Sequence, residues 1–149
     1  MKTISIRSLD SADLPDAAKL LTVLNPETPL KIINERLNTL LTDHPHYHIF
    51  GAFSEEKLIG LVGAWIATKI WCGRYLEIDN LIVDSECRFN GVGTMLIQHL
   101  EAIAHERDCK IIVLDSYTAN KQSHRLYHRL GFEIWGFHFV KPIENWQSS

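Results

Sequence analysis

The sequence predicts an α/β (α+β) fold: a mixed, mostly antiparallel twisted sheet of about seven strands with four helices. Three observations carry that prediction. Short β-forming runs are joined by polar turns, and apolar residues recur at helical spacing in four other stretches. Residues 75–114 read strand, glycine loop, helix, strand, which is a βαβ crossover and supplies the one parallel connection.

Residues 3–8 alternate Ile4 and Ile6 with polar neighbours, as a half-buried strand does, and Asp10 or Ser11 can then cap a helix carrying Leu14, Ala18, Leu21 and Leu24. After the Asn25-Pro26 break, Leu30, Ile33, Leu37 and Leu41 place a second helix over residues 29–41, ended by a loop with Pro45. Residues 48–53 and 58–70 are apolar and rich in β-formers, and the polar stretch Ser54-Glu55-Glu56-Lys57 between them is hairpin chemistry. A third strand, residues 75–83, follows the Cys72-Gly73 turn.

Val92, Leu96, Leu100 and Ile103 mark a long helix directly behind Gly91, and Ile111 to Leu114 is a continuous apolar run typical of a strand buried on both faces. Residues 120–130 form a fourth helix, with Ser123, Leu126, Tyr127 and Leu130 on one side and Gly131 as its C-cap. Residues 132–134 and 137–140 are expected as a last strand pair. The predicted order is β-α-α-β-β-β-α-β-α-β-β.

The chain has 149 residues and is 46% hydrophobic, enough for one core, so a single domain over residues 1–149 is expected. The N-terminal residues break their apolar positions with a charge, and no apolar run approaches the ~18 residues that span a bilayer, so a cytoplasmic protein without a membrane partner is expected. A formal charge of -3, with basic residues scattered, offers no footprint for nucleic acid. Cys72, Cys87 and Cys109 are odd in number and share no ligand spacing, which points to reduced thiols. His44, His46 and His48 alternate, and His124 and His128 stand four apart, but neither set has carboxylate or cysteine partners at matching spacing, so no metal is expected.

Arg88-Phe89-Asn90-Gly91-Val92-Gly93 lies between a strand and a helix N-terminus, where unpaired N–H groups and the positive end of the helix dipole favour phosphate. Glycines let a pyrophosphate approach the backbone, Arg88 adds a charge-assisted contact and Thr94 a hydroxyl. Two glycines before a helix are also a common tight turn. No Gly-Lys-Ser/Thr follows, so this is not a P-loop, and the G-x-G-x-x-G dinucleotide spacing is absent.

The run Leu81-Ile82-Val83-Asp84-Ser85-Glu86-Cys87-Arg88-Phe89-Asn90-Gly91-Val92-Gly93-Thr94-Met95-Leu96 resembles the acetyl-CoA motif of the GNAT superfamily of N-acetyltransferases, Q/R-x-x-G-x-G/A after an apolar strand. Downstream, Asn120, then His124-Arg125-Leu126-Tyr127 and Leu130-Gly131-Phe132 are similar to the family's N-x-x-A-x-x-L-Y-x-x-x-G-F. The chain departs from the pattern at Ser85, Phe89 and Ser123, where proline, glycine and alanine are frequent; the Phe89 ring could crowd the loop.

The resemblance implies acetyl-CoA as cosubstrate, held by Arg88, Phe89, Asn90, Gly91, Val92, Gly93 and Thr94, with its pantetheine arm paired strand-like to the backbone of Leu81, Ile82 and Val83. Asn120 matches the asparagine that binds that arm, or is only a helix cap. Glu77, six residues before Val83, matches a general-base glutamate that often acts through water, or is a solvated strand residue. Asp79 is expected to attract a cationic amine. Tyr127 matches the tyrosine that protonates the departing thiolate, or is a core tyrosine with a satisfied hydroxyl.

Strand alternation puts Leu76, Ile78 and Ile82 on one face and Glu77 and Asp79 on the other, toward a cleft, unless a bulge flips the register. Trp65, Trp71 and Tyr75 fit a pocket, a homodimer interface or plain core. Three functions stay open: acetylation of a small primary amine, to which the run from Gly131 to Lys141 is loosely similar in aminoalkylphosphonate and aminoglycoside N-acetyltransferases; acetylation of a protein lysine or N-terminus; and an acetyl-CoA-binding sensor without turnover.

Overall fold

The computed structural model describes residues 3–144, the side chain of Phe89 excepted. Strand β1 (Ile4–Ser8) leads into a 3₁₀ turn, Ser11–Asp13, and helix α1 (Leu14–Leu24). Asp10 starts this helix through a capping box: its Oδ1 accepts from the Ala12 N–H at 3.0 Å, and Asp13 Oδ2 accepts from the Asp10 N–H at 2.9 Å. Arg7 grips the Asp13 carboxylate with two donors, at 2.7 and 3.1 Å, and so ties β1 to the helix start. Helix α2 (Leu30–Asp43) follows, then the hairpin of β2 (Tyr47–Ser54) and β3 (Lys57–Lys69), and then β4 (Gly73–Val83).

A second 3₁₀ turn, Ser85–Asn90, connects β4 to α3 (Val92–Glu106); β5 (Ile111–Leu114) and α4 (Lys121–Arg129) complete the regular elements. The sheet order is β1-β2-β3-β4-β5, antiparallel except for the parallel β4–β5 pair. Two apolar clusters cover its faces. Ala17, Ala18 and Leu21 of α1 and Ile33 and Leu37 of α2 pack against Ile49 and Leu61 on one face. On the other, Val92, Leu96, Ile97 and Leu100 of α3 pack against Val62, Leu76 and Ile78, and Leu126 and Leu130 of α4 join them. Leu61, Leu76, Leu96, Ile97 and Leu100 are fully buried, so α3 is clamped along its length.

Three expectations are corrected. The sheet has five strands among the described residues, not seven, because residues 132–140 form no strand. Alternation shows that a segment can pair, but only an available edge makes it a strand. Residues 133–144 make no backbone–backbone hydrogen bond with the described residues. For the same reason β5 is half-buried at every position rather than buried on both faces: its outer edge has no neighbour.

The third correction is in β4. Gly63 stands opposite Asp79 and Leu61 opposite Ile82, so β4 has two residues, Asn80 and Leu81, where β3 has one. Asn80 absorbs the extra residue at φ 56°, a left-handed conformation that Asn tolerates better than most residues. The bulge reverses the alternation. Leu76 and Ile78 face α3, but beyond the bulge it is Leu81 and Val83 that pack on that side, while Ile82 turns to the α1–α2 face.

Candidate active site

The sheet forks where β4 and β5 part. Their pairing runs from Tyr75–Ile111 to Ile78–Leu114 and stops, whereas β4 continues on β3 as far as Val83 opposite Gly60. The stretch Asp79 to Val83 therefore has a strand on one side only, and the side facing β5 is open for an extended ligand.

At the mouth of the fork the chain turns sharply into α3. Asp84 accepts from the Glu86 N–H at 3.0 Å and starts the 3₁₀ turn, and Gly91 ends it at φ 74°. That left-handed conformation strains any residue with a β-carbon, and no atom lies within 4 Å of the point where one would project. Helix α3 has no side-chain cap and no acidic residue in its first turn. Its first intrahelical bond is from the Met95 N–H to the Gly91 carbonyl at 3.0 Å, so the N–H groups of Val92, Gly93 and Thr94 have no intrahelical acceptor. Arg88 is exposed beside them and, among the described residues, makes no ion pair.

Helix α4 leans on this same turn. A β-carbon on Gly93 would lie 3.7 Å from Leu126 Cδ2 and 3.9 Å from Val83 Cγ2, which puts the end of β4, the start of α3 and the middle of α4 at one point. Helix α4 ends in a Schellman motif: the Gly131 N–H, at φ 91°, donates to the His128 carbonyl at 3.1 Å and the Phe132 N–H to the Tyr127 carbonyl at 2.9 Å. Phe132 then meets the Tyr127 ring edge-on, with centroids 6.0 Å apart. Burial raises the Tyr127 phenol above its ordinary 10.0, and a hydrogen bond with Ser123 opposes the rise. Asn120 occupies the N-cap position but makes no capping bond, and its side chain is exposed.

Glu77 and Asp79 lie on the opposite sheet face from Leu76 and Ile78. Burial is the main cause holding the Glu77 carboxyl above the usual glutamate range, reinforced by Asp115 and Asp79 and opposed by Lys69 and His138. Asp79 is raised by burial too, against hydrogen bonds from Trp65 and Tyr47. Tyr47 is buried among these groups, and desolvation and the Asp79 charge push its phenol far up. The Asn80 amide donates to the Tyr47 hydroxyl at 3.5 Å, so the bulge residue belongs to the same network.

Tyr47, Asn80 and Asp115 were not singled out from the sequence. Gly63 is the one sequence signal for Tyr47, since a β-carbon there would overlap the tyrosine hydroxyl. Glu77 and Tyr127 thus flank the fork from opposite faces of the sheet. Among the described residues no group of three or more His, Cys, Asp or Glu side chains could hold a metal, and His124 is bonded to the Tyr117 carbonyl at 2.9 Å. No described helix is long and apolar enough to cross a membrane.

A sheet split at its parallel pair, with a glycine-led helix N-terminus opening into the split, defines an α/β acyl-transferring class. The chain belongs to the GNAT family of acetyltransferases: the family model described as Acetyltransferase (GNAT) family matches residues 13–132. It is 28% identical over 144 residues to the uncharacterized N-acetyltransferase YhdJ of Bacillus subtilis (strain 168), covering 96% of this chain and 98% of that one. Over 83 residues it is 42% identical to human N-alpha-acetyltransferase 30, which is 56% of this chain and 23% of that protein. Among solved structures, the aminoglycoside N-acetyltransferase AAC(6')-Iy in complex with CoA superposes with a TM-score of 0.85 at 21% identity, over 96% of this chain and 97% of that one.

Proposed function

We propose that the protein transfers the acetyl group of acetyl-CoA to a primary amine of a small molecule. The N–H groups of Val92, Gly93 and Thr94, with Arg88, Asn90 and the backbone of Phe89, receive the pyrophosphate at the mouth of the fork. The pantetheine arm runs along the open side of Leu81, Ile82 and Val83, with Asn120 at its other flank. Glu77 takes a proton from the incoming ammonium, directly or through water, and its raised affinity for protons brings it toward the range useful to a base near neutrality. Asp79, with Glu77 and Asp115, draws the cation in.

The neutral nitrogen attacks the thioester carbonyl, a tetrahedral oxyanion forms and collapses, and the carbon–sulfur bond breaks. The thiolate leaves with a proton from Tyr127, which is fully protonated at neutral pH because burial raises it further. The observation that carries this reading is the fork itself, with an anion-accepting helix end on one side and carboxylates on the other. A panel of amines, diamines and aminoglycosides assayed by release of free thiol tests it. No thiol release above hydrolysis with any amine, despite CoA binding, would leave only a sensor.

A second reading rests on the 42% identity to a protein N-alpha-acetyltransferase over 83 residues. It puts a peptide N-terminus where the small amine would bind. Peptides with free and blocked N-termini belong in the same panel, and turnover of free peptides alone would replace the small-amine reading.

A further inference from the structure

We infer that residues 132–144 form an interface with a second copy of this chain, entering as a strand against the open outer edge of its β5. The segment carries Ile134 (74% exposed), Trp135 (74%), Phe137 (87%), Phe139 (92%), Val140 (69%) and Ile143 (91%). A buried aromatic accounts for ~150–250 Å², so these six together offer apolar surface on the order of 1,000 Å². The largest apolar patch of a monomeric protein is about 300–600 Å², whereas each side of a standard protein interface buries about 800 Å². The exposed surface is of interface size.

The backbone leads to the same occupant. Residues 133–144 make no backbone–backbone hydrogen bond with the described residues, while β5 pairs with β4 alone. An unpaired β-forming segment and an unpaired apolar edge, Ile111–Leu114, thus sit on the same chain. In a two-fold dimer each copy gives the strand that the other lacks, which is a closed, self-complementary arrangement. In its present course the segment already passes its own β5 without laddering: His138 is 3.4 Å from Asp115, and the Trp135 ring is 6.4 Å from that of Trp71, itself 63% exposed.

Folding onto the chain's own sheet does not account for the sequence. Alternation puts Ile134 and Val140 on one face and Trp135, Phe137 and Phe139 on the other, so both faces need cover. A lipid surface fits less well, because Glu133, His138, Lys141 and Glu144 interrupt the run without forming a basic cluster. The contact also reaches the fork, since Asp115 is a charge felt by Glu77.

Sedimentation velocity of the full chain across the micromolar range, with amide hydrogen exchange, tests the inference without reference to activity. The expected result is a dimer in which the amides of residues 133–140 are protected. Replacing Phe137→Asp and Phe139→Asp together should weaken association by about 100-fold or more and release that protection, with the far-ultraviolet dichroism unchanged. Should the double variant misfold, Phe139→Lys alone, at a side chain that touches little, should still weaken the dimer at least ~10-fold. A wild-type monomer at every concentration overturns the inference. So does a dimer with unprotected amides at 133–140, or one indifferent to these substitutions.

Discussion

Tyr127→Phe removes a single oxygen, and the structure allows its consequences to be separated. The ring is half-buried and keeps its edge-on contact with Phe132, and the backbone bonds that end α4, from Phe132 and Gly131 to the Tyr127 and His128 carbonyls, involve no side chain. What is lost is the bond with Ser123, a partner that is itself only half-buried and can turn to water. An intramolecular hydrogen bond of this kind contributes ~0.5–1.5 kcal/mol, which for a domain near this size lowers Tm by about 1–6 °C.

Catalysis should suffer far more. If the phenol protonates the thiolate, kcat should fall by about 10²-fold, or ~2.7 kcal/mol of barrier, with little change in KM for acetyl-CoA, because the hydroxyl acts on the departing sulfur and not on the bound ground state. The assay is steady-state thiol release on the best amine found, beside calorimetric melting of both proteins. A variant that melts within a few degrees of wild type and keeps kcat within about threefold would refute the acid role and leave Tyr127 as a packing residue.

Glu77→Gln should lower turnover most at neutral pH and recover toward pH 9, where more amine is already neutral; an equal loss at every pH would mean that Glu77 serves binding instead. The same variant should be more stable than wild type at pH 7. A carboxyl whose folded pKa is raised above its ordinary 4.5 is penalised once pH exceeds that value, so the gap in melting temperature should vanish near pH 4 and open as pH rises. Gly91→Val should weaken CoA binding in calorimetry through the left-handed φ of 74°, which costs a residue with a β-carbon on the order of 1–3 kcal/mol and displaces the start of α3; unchanged affinity would remove this loop from the phosphate site. Gly63→Ala drives a methyl into the Tyr47 hydroxyl and should cost about 1–3 kcal/mol in urea unfolding. Adding Tyr47→Phe should return part of that loss, and strict additivity of the two would show that they do not meet.

Much of this protein is local, and what is local can be read along the chain. The capping box at Asp10, the helical spacing of Val92, Leu96 and Leu100, and the left-handed glycines at 91 and 131 each follow from a few neighbouring residues and the backbone geometry they permit. The phosphate loop is legible for the same reason: a glycine-led helix start needs no distant partner to present its N–H groups. Glu77 and Tyr127 were reached by motif.

The remainder depends on which strand meets which. Whether Ile82 faces α3 or α1 turns on one extra residue at Asn80, and a bulge is fixed by the pairing of β4 with β3 rather than by either strand alone. The network of Tyr47, Trp65, Asp79 and Asn80 joins residues more than thirty positions apart, for which the only trace was a glycine at 63. Residues 132–140 read as strands, and their composition supports that reading, yet a strand is a relation between two segments and this chain gives them no edge that they occupy. Local propensity decided the helices, the turns and the loop; long-range backbone pairing, which no single segment encodes, decided the register of β4, the fork and the unpaired segment beyond α4.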